Sequence, residues 1–200
     1  MKFFNSRLPF ILLASYLIEF TALSFHVYSR SVWIAENLPI VLIVGALVIF
    51  YVRRIRFSNA AYLMMSCLVF LHTIGGHYSF ERVPFGWFNE LIGSERNMFD
   101  RVAHFTVGFF AYPILELTEQ SKTITKRWLA GLFAVCVIAT VAMSYEIIEW
   151  IYAVTSDPAS GAAFLGSQGD IWDAQKDMLM DTLGALFAAA VYFLRNRKCF

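Results

Sequence analysis

QGDIWDAQKDMLMDTLGA, residues 168–185, leads four aspartates into an apolar run that continues to Leu194. Asp170, Asp173, Asp177 and Asp181 recur at spacings of three, four and four, so a helix through them carries one carboxylate stripe. Like charges stacked that way repel unless something positive stands among them. The first three have an inexpensive role, because carboxylates near a helix N-terminus satisfy free N–H groups and complement the dipole. Asp181 lies roughly 6 Å further along the axis than Asp177, at ~1.5 Å per residue, already inside the apolar run. A carboxylate at that depth in lipid costs ~3 kcal/mol on insertion scales, so it must face protein, water or a cation.

The rest of the chain shows which solvent this stretch meets. Of 200 residues 58% are hydrophobic and 16% charged, and the mean hydropathy is +0.59. That composition specifies a membrane protein and not a soluble domain. The net charge of +1 carries no message, and no basic patch with interleaved aromatics points to nucleic acid. Cys67 and Cys136 fall in apolar runs and Cys199 next to the last residue, which gives neither a disulfide framework nor a CxxC metal pattern.

Six apolar segments follow from hydropathy and turn signals, about 8–26, 37–52, 59–75, 101–118, 128–154 and 177–194. The expected fold is an all-α bundle of six transmembrane helices in a single domain, 1–200. The first segment, with Lys2 and Arg7 ahead of it, has features of a signal peptide. Its length and Glu19 favour a retained span. Pro39 suits the first turn of the second segment, Trp33 an interface, Gly75-Gly76 the end of the third, and Pro113 a kink in the fourth. Residues 79–99 mix aromatic and charged residues as a re-entrant or surface-lying segment does, and residues 155–169 read as a polar connection. Eleven basic residues (Lys2, Arg7, Arg53, Arg54, Arg56, Lys122, Lys126, Arg127, Arg195, Arg197 and Lys198) fall on one side, against five on the other. The positive-inside rule then predicts both termini in the cytoplasm. No internal repeat relates the first three segments to the last three, which disfavours an inverted-repeat transporter.

This topology gathers polar groups on the outer side: His26, His72, His77, His104, Asp100, Glu146, Glu149 and the four aspartates. Asp100 and His104 share a helix face, which Gly108 extends so that a neighbouring helix can approach closely. Glu146 and Glu149 share a face likewise. Each has a plain structural alternative: His72 as a helix-end hydrogen-bonding residue, His26 as interfacial, Glu149 as a membrane-edge residue. Arg101 neutralises one carboxylate, and one arginine is too few for the group. Glu19 and Glu116 stand as isolated structural residues. If the last three segments converge, carboxylates with one or two histidines form the donor set of a divalent ion such as Mg²⁺, Mn²⁺ or Zn²⁺. The expected metal ligands are His104, Glu146, Asp177 and Asp181, with Glu149 or Asp100 as general base or supporting group. His72, His77, Arg101, Asp170 and Asp173 would shape the pocket or its entrance.

HTIGGHY at 72–78, NMFDRVAHFTVG at 97–108, EIIEW at 146–150 and GSQGDIWDAQKDMLMDTLGA at 166–185 resemble the YjdF family of bacterial inner-membrane proteins over nearly the whole chain. The resemblance implies a multi-span inner-membrane protein and supplies no reaction. The order DRVAHF, EIIEW, DMLMDTLGA is also similar to VanZ-like proteins, linked with glycopeptide-antibiotic tolerance and cell-envelope phenotypes. That likeness implies a shared polar core of Asp100, His104, Glu146, Asp177 and Asp181. The expected function is a metal-dependent hydrolase or transferase on a lipid or lipid-linked envelope substrate at the periplasmic face. The alternatives are a proton- or cation-coupled transporter and a non-catalytic envelope protein.

The topology is testable by itself. In a chain whose three native cysteines are replaced by serine, a cysteine at Glu90 should react with a membrane-impermeant maleimide added outside spheroplasts. One at Lys122 should react only after lysis. Equal labelling of both from outside would refute the topology.

Overall fold

The computed structural model describes residues 7–196, and Lys2, Arg197, Lys198, Cys199 and both chain ends lie outside them. All regular structure among these residues is helical. In chain order it comprises α1 (Leu8–Leu23), α2 (Arg30–Val52), α3 (Asn59–Tyr78), α4 (Gly86–Ile92), α5 (Phe99–Val107), α6 (Ala111–Ser121), α7 (Arg127–Thr155), α8 (Pro158–Leu165) and α9 (Asp173–Arg195). Short 3₁₀ turns precede α4 (Phe80–Arg82) and join α5 to α6 (Gly108–Phe110). Four helices, α2, α3, α7 and α9, are long and apolar enough to cross a membrane. Helix α1 has 16 residues, and α5, the 3₁₀ turn and α6 follow one another with no loop between them over 99–121.

Local chemistry explains where these helices differ from the expected segments. Helix α2 starts at Arg30 because the Ser29 hydroxyl accepts from the Val32 N–H, so Pro39 and Trp33 lie inside the helix instead of at its start. The carbonyl of Glu36, close before Pro39, takes a bond from His72 Nε2 at 3.0 Å. Helix α3, capped by Ser58, does not stop at Gly75-Gly76. Those glycines make room for neighbours: a Cβ on Gly75 would run into the Phe80 ring and one on Gly76 into Asn37. The fourth run breaks at Gly108–Phe110, ahead of Pro113 and not at it. A proline ring displaces the carbonyl four residues earlier, here Phe109, and the tighter turn accommodates that. Residues 155–169 contain a helix, α8, whose N-terminus Asp157 caps by accepting from Ala159 and Ser160 N–H. Hydrogen bonding from Ser160, its side chain foremost and then its N–H, holds the Asp157 carboxyl below its ordinary range. Helix α9 starts at Asp173, four residues before the expected 177, after Asp170 accepts the Trp172 N–H at 3.1 Å.

Small residues occupy the most buried positions of the main apolar cluster. It joins α3, α6, α7 and α9 through Ala61, Ala111, Ala130, Ala134, Ala185 and Ala188, all fully buried. A second joins α1, α2 and α3 around Tyr16, Ile40, Leu68 and Val69. A third, Phe80, Val83, Phe99 and Ala103, anchors the 79–99 connection to the bundle. Outward faces carry exposed apolar residues such as Leu42 and Ile49 on α2 and Leu132 and Ile148 on α7, as lipid contact requires.

The closest approach is between the 3₁₀ turn after α5 and α9. A Cβ on Gly108 would overlap the backbone of Asp181, Gly184 and Ala185, and one on Gly184 would overlap the Phe105 carbonyl. Here backbone meets backbone, the geometry that small residues permit between membrane helices. Gly184→Ala is therefore expected to destabilise the protein by about 1–3 kcal/mol, read as a lowered melting temperature in detergent. Gly45→Ala, inside α2 at a position with nothing within 4 Å of the added carbon, should not lower the melt, since alanine is the better helix former.

Candidate functional site

The glycine contact sets the first turns of α5 beside those of α9. Asp100, Arg101 and His104 thereby face Asp173, Asp177 and Asp181, and all six are at most partly exposed, with Arg101 at 4% and Asp181 at 1%. The Arg101 guanidinium bonds Asp177 through Nη1 and Asp173 through Nη2 at 2.5 Å, with Asp170 at 3.4 Å. Arg96 adds a second guanidinium, 2.6 Å from Asp173, 3.5 Å from Asp100 and 4.0 Å from Asp170. Its Nη1 also donates to the Ser167 carbonyl at 2.5 Å. Lys176 reaches Asp170 at 2.6 Å. This bond and the Trp172 N–H hold the Asp170 carboxyl below its ordinary range. The acidic stripe is thus interleaved with cations: Arg101, expected to neutralise one carboxylate, hydrogen-bonds three, and Arg96 and Lys176 supply the further positive charge that one arginine was too few to give.

His104 occupies the inner end of the stripe. Its Nδ1 lies 3.3 Å from both oxygens of Asp181, and its Nε2 lies 3.7 Å from Asp100 and 3.8 Å from Asp177. Asp100, His104 and Asp177 each offer one ligand atom, all within 4.8 Å of one another. A second pair stands opposite. His72 Nε2 is 3.2 Å from Glu36 Oε2, and the Tyr145 hydroxyl donates to that oxygen at 3.1 Å. The Tyr145 ring lies edge-on to both histidines, 6.3 Å from His72 and 6.5 Å from His104 between centroids. A cavity of about 130 Å³ is lined by Glu36, His72, Asp100, His104, Glu149 and Asp181, and Phe164 and Leu165 of α8 border it.

The expected residues separate accordingly. His72, Asp100, His104, Glu149 and Asp181 share the cavity wall. Glu146 is near enough to feel the charges of His104, Asp177, Asp100 and Asp181, and one of its oxygens is buried without a hydrogen bond in the described protein. Asp170, Asp173, Asp177 and Arg101 form the ion-pair ladder beside the cavity. His77 is elsewhere: its Nδ1 meets the Leu23 carbonyl at 2.8 Å and ties the end of α3 to that of α1. Glu36, Tyr145 and Arg96 were not among the expected site residues. Arg96 stands four residues before Asp100, an i,i+4 pairing signal. Glu36 becomes legible once Ser29 is recognised as a helix cap, since a glutamate two turns inside an apolar helix needs a partner.

Residues 8–198 match the family described as Predicted membrane protein (DUF2238). The chain belongs to that family. A relative of this chain, the inner membrane protein YjdF of Escherichia coli (strain K12), is 32% identical over 189 residues, covering 92% of this chain and 86% of that protein. No solved structure matches this chain. The membrane character read from composition and from four crossing-length helices agrees with both matches.

Removing Arg101 would leave Asp177 and Asp173 buried with too little positive charge. Arg101→Gln should cost about 3–5 kcal/mol, the range for breaking a buried pair, again read by thermal melting in detergent. The double variant Arg101→Gln, Asp177→Asn should recover part of that loss. No recovery would show that the guanidinium acts through other contacts.

Proposed function

We propose that the protein lies in the bacterial inner membrane, like its YjdF relative. It would cross six times, with α1 and the 99–121 run as the additional spans and both ends cytoplasmic. We propose further that its outward chamber is a metal-assisted hydrolytic or group-transfer site for a lipid or lipid-linked envelope molecule.

The observation that carries this is the setting of His104. Asp181 on Nδ1 leaves Nε2 turned toward Asp100 and Asp177, the arrangement in which a carboxylate orients an imidazole whose other nitrogen ligates a metal. The ligand set favoured here is Asp100, His104 and Asp177, with Asp181 as the orienting partner. Glu149 on the cavity wall, and Glu146 with its unsatisfied oxygen, are the candidate general bases. Charge supports a cation. Five aspartates of the cluster meet three permanent cations, Arg96, Arg101 and Lys176. Two carboxylates and one imidazole suit Zn²⁺ or Mn²⁺ and leave positions for water and substrate. A metal so held would activate water toward an ester or phosphoryl centre.

A proton- or cation-coupled transporter would need a polar route to the other end of the bundle. Between the chamber and Glu116, which binds the Ser58 N–H at 2.9 Å, the middle of the bundle is apolar packing. That favours the one-sided site.

Inductively coupled plasma mass spectrometry on detergent-purified protein tests the proposal. Near-stoichiometric metal is expected in the wild type and none in Asp100→Asn, His104→Ala. For Asp181→Asn an affinity lowered roughly 10–100-fold is expected, the usual effect of losing an orienting carboxylate. A metal-free wild type after incubation with Zn²⁺ and Mn²⁺ would overturn it.

A further inference from the structure

A second cavity, of about 220 Å³, lies between α1, α2 and α3, in the half of the bundle away from the chamber. Its walls are apolar: Phe10 on α1, Val48 and Val52 on α2, Met65 and Phe70 on α3. Phe10, Val48 and Val52 are 56%, 40% and 73% exposed, so the cavity opens along its rim to the face that meets lipid. It follows α2 from Val52 to Val44 and α3 from Tyr62 to Phe70, about 12 Å of helix at ~1.5 Å per residue.

Two further features define an occupant. Tyr16 lines the cavity, is 5% exposed, and its hydroxyl makes no hydrogen bond within the described protein. It is a buried donor for which an apolar chain alone supplies no partner. At the cavity's Phe10–Tyr51 end, where those two rings touch edge to face at 5.1 Å, stand Arg7, just before α1, and Arg53 and Arg54, just after α2. All three are exposed and without an ion-pair partner among the described residues. Arg56 is held differently, stacked over the Tyr51 ring at 3.5 Å. An apolar slot, a donor in its wall and unpaired guanidinium groups at its mouth match the three parts of one molecule.

We infer that this cavity is a binding site for an anionic diacyl phospholipid. One acyl chain fills the slot, an ester carbonyl accepts from Tyr16, and the phosphate headgroup lies against Arg7, Arg53 and Arg54. The site is independent of the chamber chemistry.

Native mass spectrometry of the detergent-purified protein, with added phosphatidylglycerol or phosphatidylcholine of identical chains, tests this. The wild type should retain phosphatidylglycerol over phosphatidylcholine by roughly fivefold for each arginine that reaches the headgroup. Arg53→Gln, Arg54→Gln should bring the ratio toward one. Val48→Trp, which fills the slot, and Tyr16→Phe, which removes only the donor, should each lower retention of phosphatidylglycerol. Equal retention of both lipids by the wild type would overturn the inference. So would an arginine-dependent preference that survives both Val48→Trp and Tyr16→Phe, because the headgroup would then bind the surface without the cavity.

Discussion

The contact between Gly108 and Gly184 is the constraint on which the polar end of this protein depends. Two helical backbones meet there without side chains between them, and no other residue pair allows that separation. The consequence appears one and two turns away. Asp100, Arg101 and His104 project from one element at the depth at which Asp173, Asp177 and Asp181 project from the other. Ion-pair and imidazole–carboxylate distances of 2.5 to 3.8 Å follow from this register.

Electrostatics then divides the cluster into two parts. Toward the chain connections, Arg96, Arg101 and Lys176 alternate with Asp170, Asp173 and Asp177, and each carboxylate has a cation within reach. This ladder removes the repulsion that the aspartate spacing would otherwise impose. It also holds residues 166–168 in place, since Arg96 binds the Ser167 carbonyl, and Gln168 and Asn97 exchange two hydrogen bonds. Deeper in, Asp100 is still approached by Arg96 and Arg101 at 3.5 and 3.9 Å, while Asp181 pairs with His104 alone among the described residues, and His104, Asp100 and Asp181 line a cavity. Asp170 and Asp173 belong to the ladder alone, whereas Asp177 joins it to the histidine end, pairing with Arg101 and lying 3.8 Å from His104.

The two cavities of the bundle contrast in the same terms. The chamber is bordered by α8 and lined by ionisable groups from five helices. The slot between α1, α2 and α3 is apolar, rimmed by lipid-exposed residues, and has its charge only at the mouth. One suits a polar reacting group drawn out of the bilayer, the other a chain that never leaves it.

The amino-acid sequence by itself determined the membrane character, the helical class, the aspartate stripe, the Asp100–His104 face and the close approach at Gly108. These are properties of composition and of the 3.6-residue period, and both are local. It did not determine which charges meet. Glu36, His72 and Tyr145 come from three helices separated by 36 to 109 positions, and no spacing rule relates them. Helix ends were misplaced for a related reason. Pro39 carries a helix-start signal and Gly75-Gly76 a helix-stop signal, yet α2 and α3 run through them, with His72 bonded to the Glu36 carbonyl and the glycines packed against Phe80 and Asn37. Tertiary structure alone decided which carboxylates are neutralised by arginine and which face a cavity, because that choice depends on helix register, and the register is set by backbone contact between glycines.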